Sequence, residues 1–433
     1  MAQIALLKYV CKNFEEGFHF AGDTAQTIAR GVAFRLEDIR SLFYTTFLSE
    51  TEACNRRNKH GKQGHRCVMF QLAQNFRTHG GILRMAQSII DLLYFFFPSS
   101  VDKLNPETGL VYGEPPMLLE TGNDKNAIVN IFGENKSTHG ILHGFGVEQV
   151  IVVRDDATKK QIVDVVGKHA LVLTIVECKG LEFQDVLLYN IFTSSPLRNR
   201  WRVVYDYMKN KDILSSPEEN SHPDFDRSKH YLLCSELKQL YVAITRTRQR
   251  LWICENTDYC RPMFDYWKRL CLVEVRLLDS SFIESMKTGS STDDWRRQGT
   301  KLFNEGQFEM ATMCFKKSGD AYRENWARAA GLVATADTVM SMDSELGQAS
   351  LQKASEIYES IGMYDKAVTC YIKLDDYKRA GMLYMQNCDA SRLEDAGDCF
   401  AMTECQVFLH LLERKSIQPG VPIPTTVVGG NFE

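Results

Sequence analysis

The sequence predicts an α/β fold, a parallel sheet covered by helices, followed by an all-α domain of helical hairpins. Three observations carry this. Gln149-Val-Ile-Val-Val153, Ala170-Leu-Val-Leu-Thr174 and Asp185-Val-Leu-Leu-Tyr189 are short, uninterrupted apolar runs, the pattern of strands buried on both faces. A helical stretch, Asp156 to Val166, lies between the first two, and such alternation implies parallel strands. After about Ser280 the strand pattern vanishes, and three helix-turn fragments echo each other: Gly306 to Ala311, Gly362 to Ala367 and Asp375 to Ala380.

From the start, residues 2–12 read as an amphipathic helix with Ile4, Leu7, Tyr9 and Val10 on its apolar face. Gly17 to Ala21 reads as a short buried strand ending at Gly22-Asp23, and Glu37 to Phe47 as a second helix. The basic, glycine-punctuated stretch 51–66 reads as a linker between two domains. Val68 to Leu72 is strand-like. Ile82, Met85, Ala86, Ile89, Ile90, Leu93 and Tyr94 then repeat at helical spacing until Pro98 stops the helix. The charged, proline-containing segment 209–229 reads as a surface insertion within a domain spanning 67–280. Ser290-Ser-Thr-Asp-Asp294 offers helix caps ahead of Trp295 and opens the hairpins of 290–412. In each hairpin fragment a turn residue and an aromatic precede an alanine that lets helices pack closely. The tail, 413–433, has the composition of a disordered segment.

Composition narrows the function classes. A net charge of −4 excludes a globally basic nucleic-acid binder but leaves room for a local basic groove. Thirteen cysteines without regular spacing, and no CxxC pair, predict no metal site and reduced thiols, hence an intracellular protein, nucleus or cytoplasm undecided. No apolar run reaches about 18 residues, so no membrane span is expected.

Four runs carry chemistry. Gly22-Asp-Thr-Ala-Gln-Thr-Ile28 follows the first strand; Gln26 can reach a phosphate while staying uncharged, and a plain strand-exit turn is the alternative. In Gln74-Asn-Phe-Arg-Thr-His79, Phe76 can stack on a base while Arg77 forks onto phosphate oxygens; otherwise Phe76 is core and Arg77 a surface ion pair. In Lys179-Gly-Leu-Glu-Phe183, Gly180 permits close backbone approach and Glu182 can accept from ribose hydroxyls, the alternative being a structural turn. Tyr241-Val-Ala-Ile-Thr-Arg-Thr-Arg248 places Arg246 between a helix and the strand-like Arg250 to Cys254, where a fixed guanidinium suits a transferring phosphoryl group; a solvated basic helix end is the alternative. Ligands in parallel sheets sit at the carboxyl ends of strands, and Gly22, Asn75 and the Gly180 loop are expected there.

In this order the four runs resemble the third to sixth motifs of UvrD/Rep-like (superfamily one) helicases, over residues 1–275. With the helical tail, the chain looks most like the TPR-and-ankyrin-repeat-containing (TRANK-type) family. The resemblance implies a RecA-like P-loop NTPase sheet: residues 1–50 as a remnant of the first motor domain and 67–280 as the second. It implies that Gln26, Arg77 and Arg246 sense and stabilise the γ-phosphate, that Gly22, Asp23, Gly180 and Glu182 line the nucleotide, and that Phe76 packs on adenine.

The sequence also departs from that pattern. It has no GxxxxGK[ST] loop and no Asp-Glu dipeptide for magnesium: Gly61-Lys62 and Gly167-Lys168 are followed by Gln63 and His169. Ala29-Arg-Gly-Val32 lacks the stacking aromatics of the nucleic-acid track, and Val176 stands where a histidine is usual. ATP and Mg2+ are therefore expected only together with an upstream half. The other expected partners are single-stranded nucleic acid, DNA or RNA undecided, and proteins held by the hairpins. The competing reading is a non-enzymatic, peptide-binding scaffold.

Overall fold

A computed structural model describes residues 2–11, 17–28, 35–48, 68–120, 131–132, 145–167, 170–214, 224–341, 343–387 and 393–402. The expected linker 51–66, the Ala29 to Val32 stretch and the expected tail 413–433 lie outside them. The chain forms two units, Met1–Gly289 and Ser290–Glu433.

The first unit opens with helix α1 (Ala2–Leu6), extended by one 3-10 turn, Leu7–Tyr9. Gly17 to Ala21 does not form the expected strand: these residues join no ladder among the described residues and are largely exposed. A strand needs a neighbour's backbone, and the described residues present none here. Helix α2 (Leu36–Leu42) follows and runs on into a π-helical turn, Phe43–Leu48. Its first turn is capped from a distance, because the buried Asp102 carboxylate accepts from the amides of Leu36 at 2.8 Å and Glu37 at 3.3 Å.

Val68 to Leu72 is likewise not a strand, and Val68, Phe70 and Leu72 are exposed. The Gln71 side chain takes the bonds a ladder would use, donating to the Asn105 carbonyl and accepting from its amide. Pairing is confined to β1 (Gln74–Asn75). Helix α3 (Gly80–Phe96) buries Ile82, Met85, Ala86, Ile89, Leu92, Leu93 and Phe96, so its apolar repeat packs inward as the spacing predicts. β2 (Thr108–Gly109) lies parallel to β1.

The main sheet comprises β3 (Met117–Glu120), β4 (Gln149–Val153), β5 (Leu171–Thr174), β6 (Phe183–Tyr189), β7 (Thr247–Cys254) and β8 (Glu274–Leu277). Its six strands run in the order β5-β4-β6-β7-β3-β8, every pair parallel. The connecting helices are α4 (Asp156–Val166), α5 (Val204–Asn210), α6 (Leu233–Ile244) and α7 (Arg261–Arg269), and α8 (Ser280–Met286) follows β8. Every residue of β4 and β5 is buried. Burying one such side chain contributes about 1.5–3 kcal/mol, which makes β4 and its neighbour β5 a principal source of the unit's stability. Of the expected insertion 209–229, Lys209 and Asn210 belong to α5, and 215–223 lie outside the described residues.

The second unit is all helical: α9 (Thr292–Asn304), α10 (Phe308–Ser318), α11 (Ala321–Val339), α12 (Ser344–Ser360), α13 (Tyr364–Lys373), α14 (Tyr377–Asn387) and α15 (Leu393–Met402). Ser291 and Asp294 form a capping box at the start of α9. The turns before α10 and α13 use Gly306 and Gly362 at φ +77° and +76°, and Asp375 holds the corresponding place before α14 at φ +58°. Ala311, Ala367 and Ala380 are fully buried where helices meet.

Candidate functional site

The site begins with a cap. Asp23 opens a 3-10 turn over Thr24–Gln26, its Oδ1 accepting from the Ala25 amide at 2.9 Å. Its Oδ2 accepts from Gln26 Nε2 at 2.8 Å and from the Tyr241 hydroxyl at 3.3 Å. A carboxylate only accepts, so the Gln26 amide must turn its nitrogen toward Asp23 and its oxygen away. That oxygen meets Arg246, whose Nη2 donates to Gln26 Oε1 at 3.2 Å. Buried Lys238 holds the turn in place by donating to the carbonyls of Thr24 at 3.1 Å and Ser100 at 2.9 Å. Gly22 is not at positive φ, and no neighbour lies within 4 Å of where its side chain would be, so the turning belongs to Asp23.

Arg246 sits just past the end of α6 and is 1% exposed. Nε donates to the Val242 carbonyl at 3.0 Å, Nη1 to Leu181 at 3.0 Å, and Nη2 also to Thr245 Oγ1 at 3.1 Å. Four of its five N–H donors therefore have partners. Burial pushes its guanidinium below the usual range, and the nearby positive charge of Arg77 acts in the same direction. Burial, then the charge of Asp23, pushes the Tyr241 phenol up. Gly180, at φ +91°, lets the chain turn back so that Leu181 presents its carbonyl to Arg246.

Arg77 lies in the open. The Asn75 side chain accepts from the amides of Arg77 at 2.8 Å and Thr78 at 3.1 Å, a turn that projects the guanidinium outward. Its Nε donates to Glu182 Oε2 at 2.6 Å, and Arg248 Nη1 stands 3.6 Å from the other oxygen of the same carboxylate. The side chains of Arg77, Glu182 and Arg248 are 39%, 39% and 43% exposed. The surface ion pair expected as the alternative for Arg77 is present, and its partner Glu182 is another of the residues expected at the site. Phe76 is 76% exposed and so is not core.

The cluster sits at the edge of the sheet opposite to the one expected. Phe183 pairs with Thr247 at the amino-terminal start of β6 and β7, and Arg246 and Glu182 immediately precede that pair. Parallel strands must all start at one edge. The chain leaving β5 at Thr174 therefore runs back along the sheet through residues 175–182, carrying Gly180 and Glu182 to the amino edge. The carboxyl edge instead holds internal ion pairs, with Arg154 bidentate to Glu236 and Lys159 paired with Glu177.

The sequence reading missed Tyr241, Lys238 and Arg248 as members of the cluster, although all three lie in or beside the run that flagged Arg246. It also missed a cavity of about 860 Å³ beside the Asp23 turn, lined mainly by apolar groups including Phe18, Phe20, Ile39, Phe43 and Leu83, with Tyr241 and Thr245 on its wall. Among the described residues, no group of three or more His, Cys, Asp and Glu side chains could hold a metal ion. No helix among them is long and apolar enough to cross a membrane.

Fold and site together define a parallel α/β unit with a convergent glutamine–arginine cluster, followed by a unit of helical hairpins. The chain is 35% identical over 426 residues, 93% of its length, to human TPR and ankyrin repeat-containing protein 1. It spans 14% of that protein's length. No family model matches the chain. Among solved structures, the C-terminal domain of a possible DNA helicase from Lactobacillus plantarum aligns at 13% identity, covering 46% of this chain and 98% of that one, with a TM-score of 0.25. At that score the alignment defines no shared fold.

Proposed function

We propose that the first unit is the C-terminal portion of a UvrD-like ATP-dependent nucleic-acid motor, supplying phosphate-sensing side chains to a nucleotide held by an upstream half. The observation that supports it is the contact between Gln26 and Arg246, 220 residues apart, with Arg77 close enough to press on the Arg246 charge. A structural turn or a solvated helix end has no need for such convergence. In the reading, Gln26, Arg77 and Arg246 sense and stabilise the terminal phosphate, Arg77 from the open and Arg246 by exchanging its present contacts for phosphate oxygens. Gly22, Asp23, Gly180 and Glu182 line the nucleotide, and exposed Phe76 stacks on the base.

Guanidiniums fit the anionic oxygens of a triphosphate. The described residues do not fit Mg2+, because Asp23 and Glu182 are each engaged by donors of this chain. The ion's ligands then belong to the upstream half. Nucleotide bound with Mg2+ supplies the phosphoryl group. This chain's own residues contribute position and charge stabilisation, and need move no proton. ATP turnover provides the test: the chain alone is expected to be inert, and the chain joined to an upstream half carrying a phosphate loop is expected to hydrolyse ATP. Turnover by the chain alone, or none after joining, rejects the reading.

A second reading concerns the hairpins. Their stacked helices and the repeat-protein relative support a protein-binding module. If the joined protein is inert, and replacing Arg246 leaves every binding property unchanged, the non-enzymatic scaffold takes over.

A further inference from the structure

The two arginines that converge on Glu182 differ from Arg246 in one physical respect: their forks are open. Arg77 uses only Nε, so among the described residues its two Nη groups have no partner. Arg248 has only the 3.6 Å approach to Glu182, and its guanidinium makes no hydrogen bond among the described residues. Arg246, by contrast, is sealed in and nearly saturated. A ligand arriving from solvent therefore meets Arg77 and Arg248 first, and between them it meets a carboxylate.

We propose that Arg77 and Arg248 form a two-arginine cradle for a polyphosphate chain, and that Glu182 is its latch, occupying the anion position until a polyphosphate displaces it. The inference rests on the nucleotide reading of the site and adds to it a binding residue, Arg248, and a competing internal anion. The backbone fixes the geometry. Thr78 Oγ1 donates to the Arg248 carbonyl at 3.1 Å, and His79 Nε2 lies 2.7 Å from the Gln249 carbonyl. The turn that carries Arg77 is thereby stapled to the start of β7, which carries Arg248. Glu182, one residue before β6, completes the triangle where β6 pairs with β7.

Charge decides the direction of exchange. One carboxylate faces two guanidiniums, so the cluster keeps an excess positive charge that a single carboxylate cannot neutralise. A polyphosphate brings several charges and many acceptor oxygens, enough to fill both forks at once. Half-exposed ion pairs are weak, so the latch is easily opened. The freed Glu182 would then be available to a hydroxyl-bearing part of the same ligand.

The experiment titrates inorganic tripolyphosphate into the full chain at fixed ionic strength, read by calorimetry and by thermal shift, with single-stranded oligothymidylate as a parallel probe. Wild type is expected to bind tripolyphosphate weakly, Glu182→Gln to bind it roughly two- to fivefold more tightly, and Arg248→Ala to lose a similar factor. Arg248→Lys should recover only part, because an ammonium lacks the fork. Melting curves of the variants check folding. If Arg77→Ala weakens binding while Glu182→Gln and Arg248→Ala match wild type, the latch is overturned and the nucleotide reading stands. Absence of tripolyphosphate binding in wild type and in Glu182→Gln overturns the cradle, whereas the nucleotide reading is judged separately by turnover of the joined protein. A response to Glu182→Gln confined to the oligonucleotide overturns it too, in favour of a nucleic-acid backbone contact.

Discussion

Lys317 shows how far one buried side chain can depart from its ordinary chemistry. Among the described residues its buried Nζ has no hydrogen-bond partner, and it lies 4.4 Å from the centre of the Trp295 ring. Burial lowers its ammonium to about 8 from an ordinary 10.5. The unfolded chain binds the proton more tightly, so this group costs stability below about pH 8, and the cost disappears as pH rises from about 8 to about 10.5. The Trp295 ring face offsets part of the cost, since it favours the cation. Lys317→Met is therefore expected to raise stability at pH 7 by about 1–3 kcal/mol, with the gain gone by about pH 11. Urea melts of both proteins across pH check it, and a destabilised or pH-independent difference would contradict it. At the same scale, sequence made Gln26, Arg77 and Arg246 visible because polar groups in a distinctive order stand out beside apolar strands. It gave no sign that Arg246 would be sealed while Arg248 stayed open. The two share a run of alternating Thr and Arg, and only the turn into β7 separates their environments.

At the scale of elements, legibility followed burial. β4, α4 and α3 form where they are expected, β4 because both its faces are buried and the helices because each buries one face. The expected strands at Gly17 to Ala21 and Val68 to Leu72 do not form, since composition reports a preference for extension but not whether a neighbouring backbone is there to pair. β3 and β8 went unread: Met117-Leu-Leu-Glu120 is too short to show a period, and all four residues of β8 are exposed. The hairpins were legible through their small residues. Ala367 is fully buried in α13 and belongs to the core that α12 and α14 share with it. Ala367→Leu is expected to cost about 1–3 kcal/mol by overpacking, seen as a lower urea midpoint. An unchanged midpoint would show that the helices there are looser than their burial implies.

At the scale of the whole molecule, the sheet explains why residues that come together can lie at a different edge from the one expected. The general rule puts ligands at the carboxyl ends of parallel strands, and here Glu182 and Arg246 precede β6 and β7. On the proposed reading this is the natural face for a half-site. The carboxyl edge is closed by its own ion pairs, and the amino edge offers guanidiniums without a resident phosphate loop. The account stands or falls on whether those guanidiniums act on the same phosphate. Steady-state ATP turnover of the joined protein, comparing wild type with Arg77→Ala and Arg246→Ala, measures that directly. Each replacement is predicted to lower kcat by about 10³-fold or more with a much smaller change in KM. Arg246→Ala turning over at the wild-type rate would contradict it.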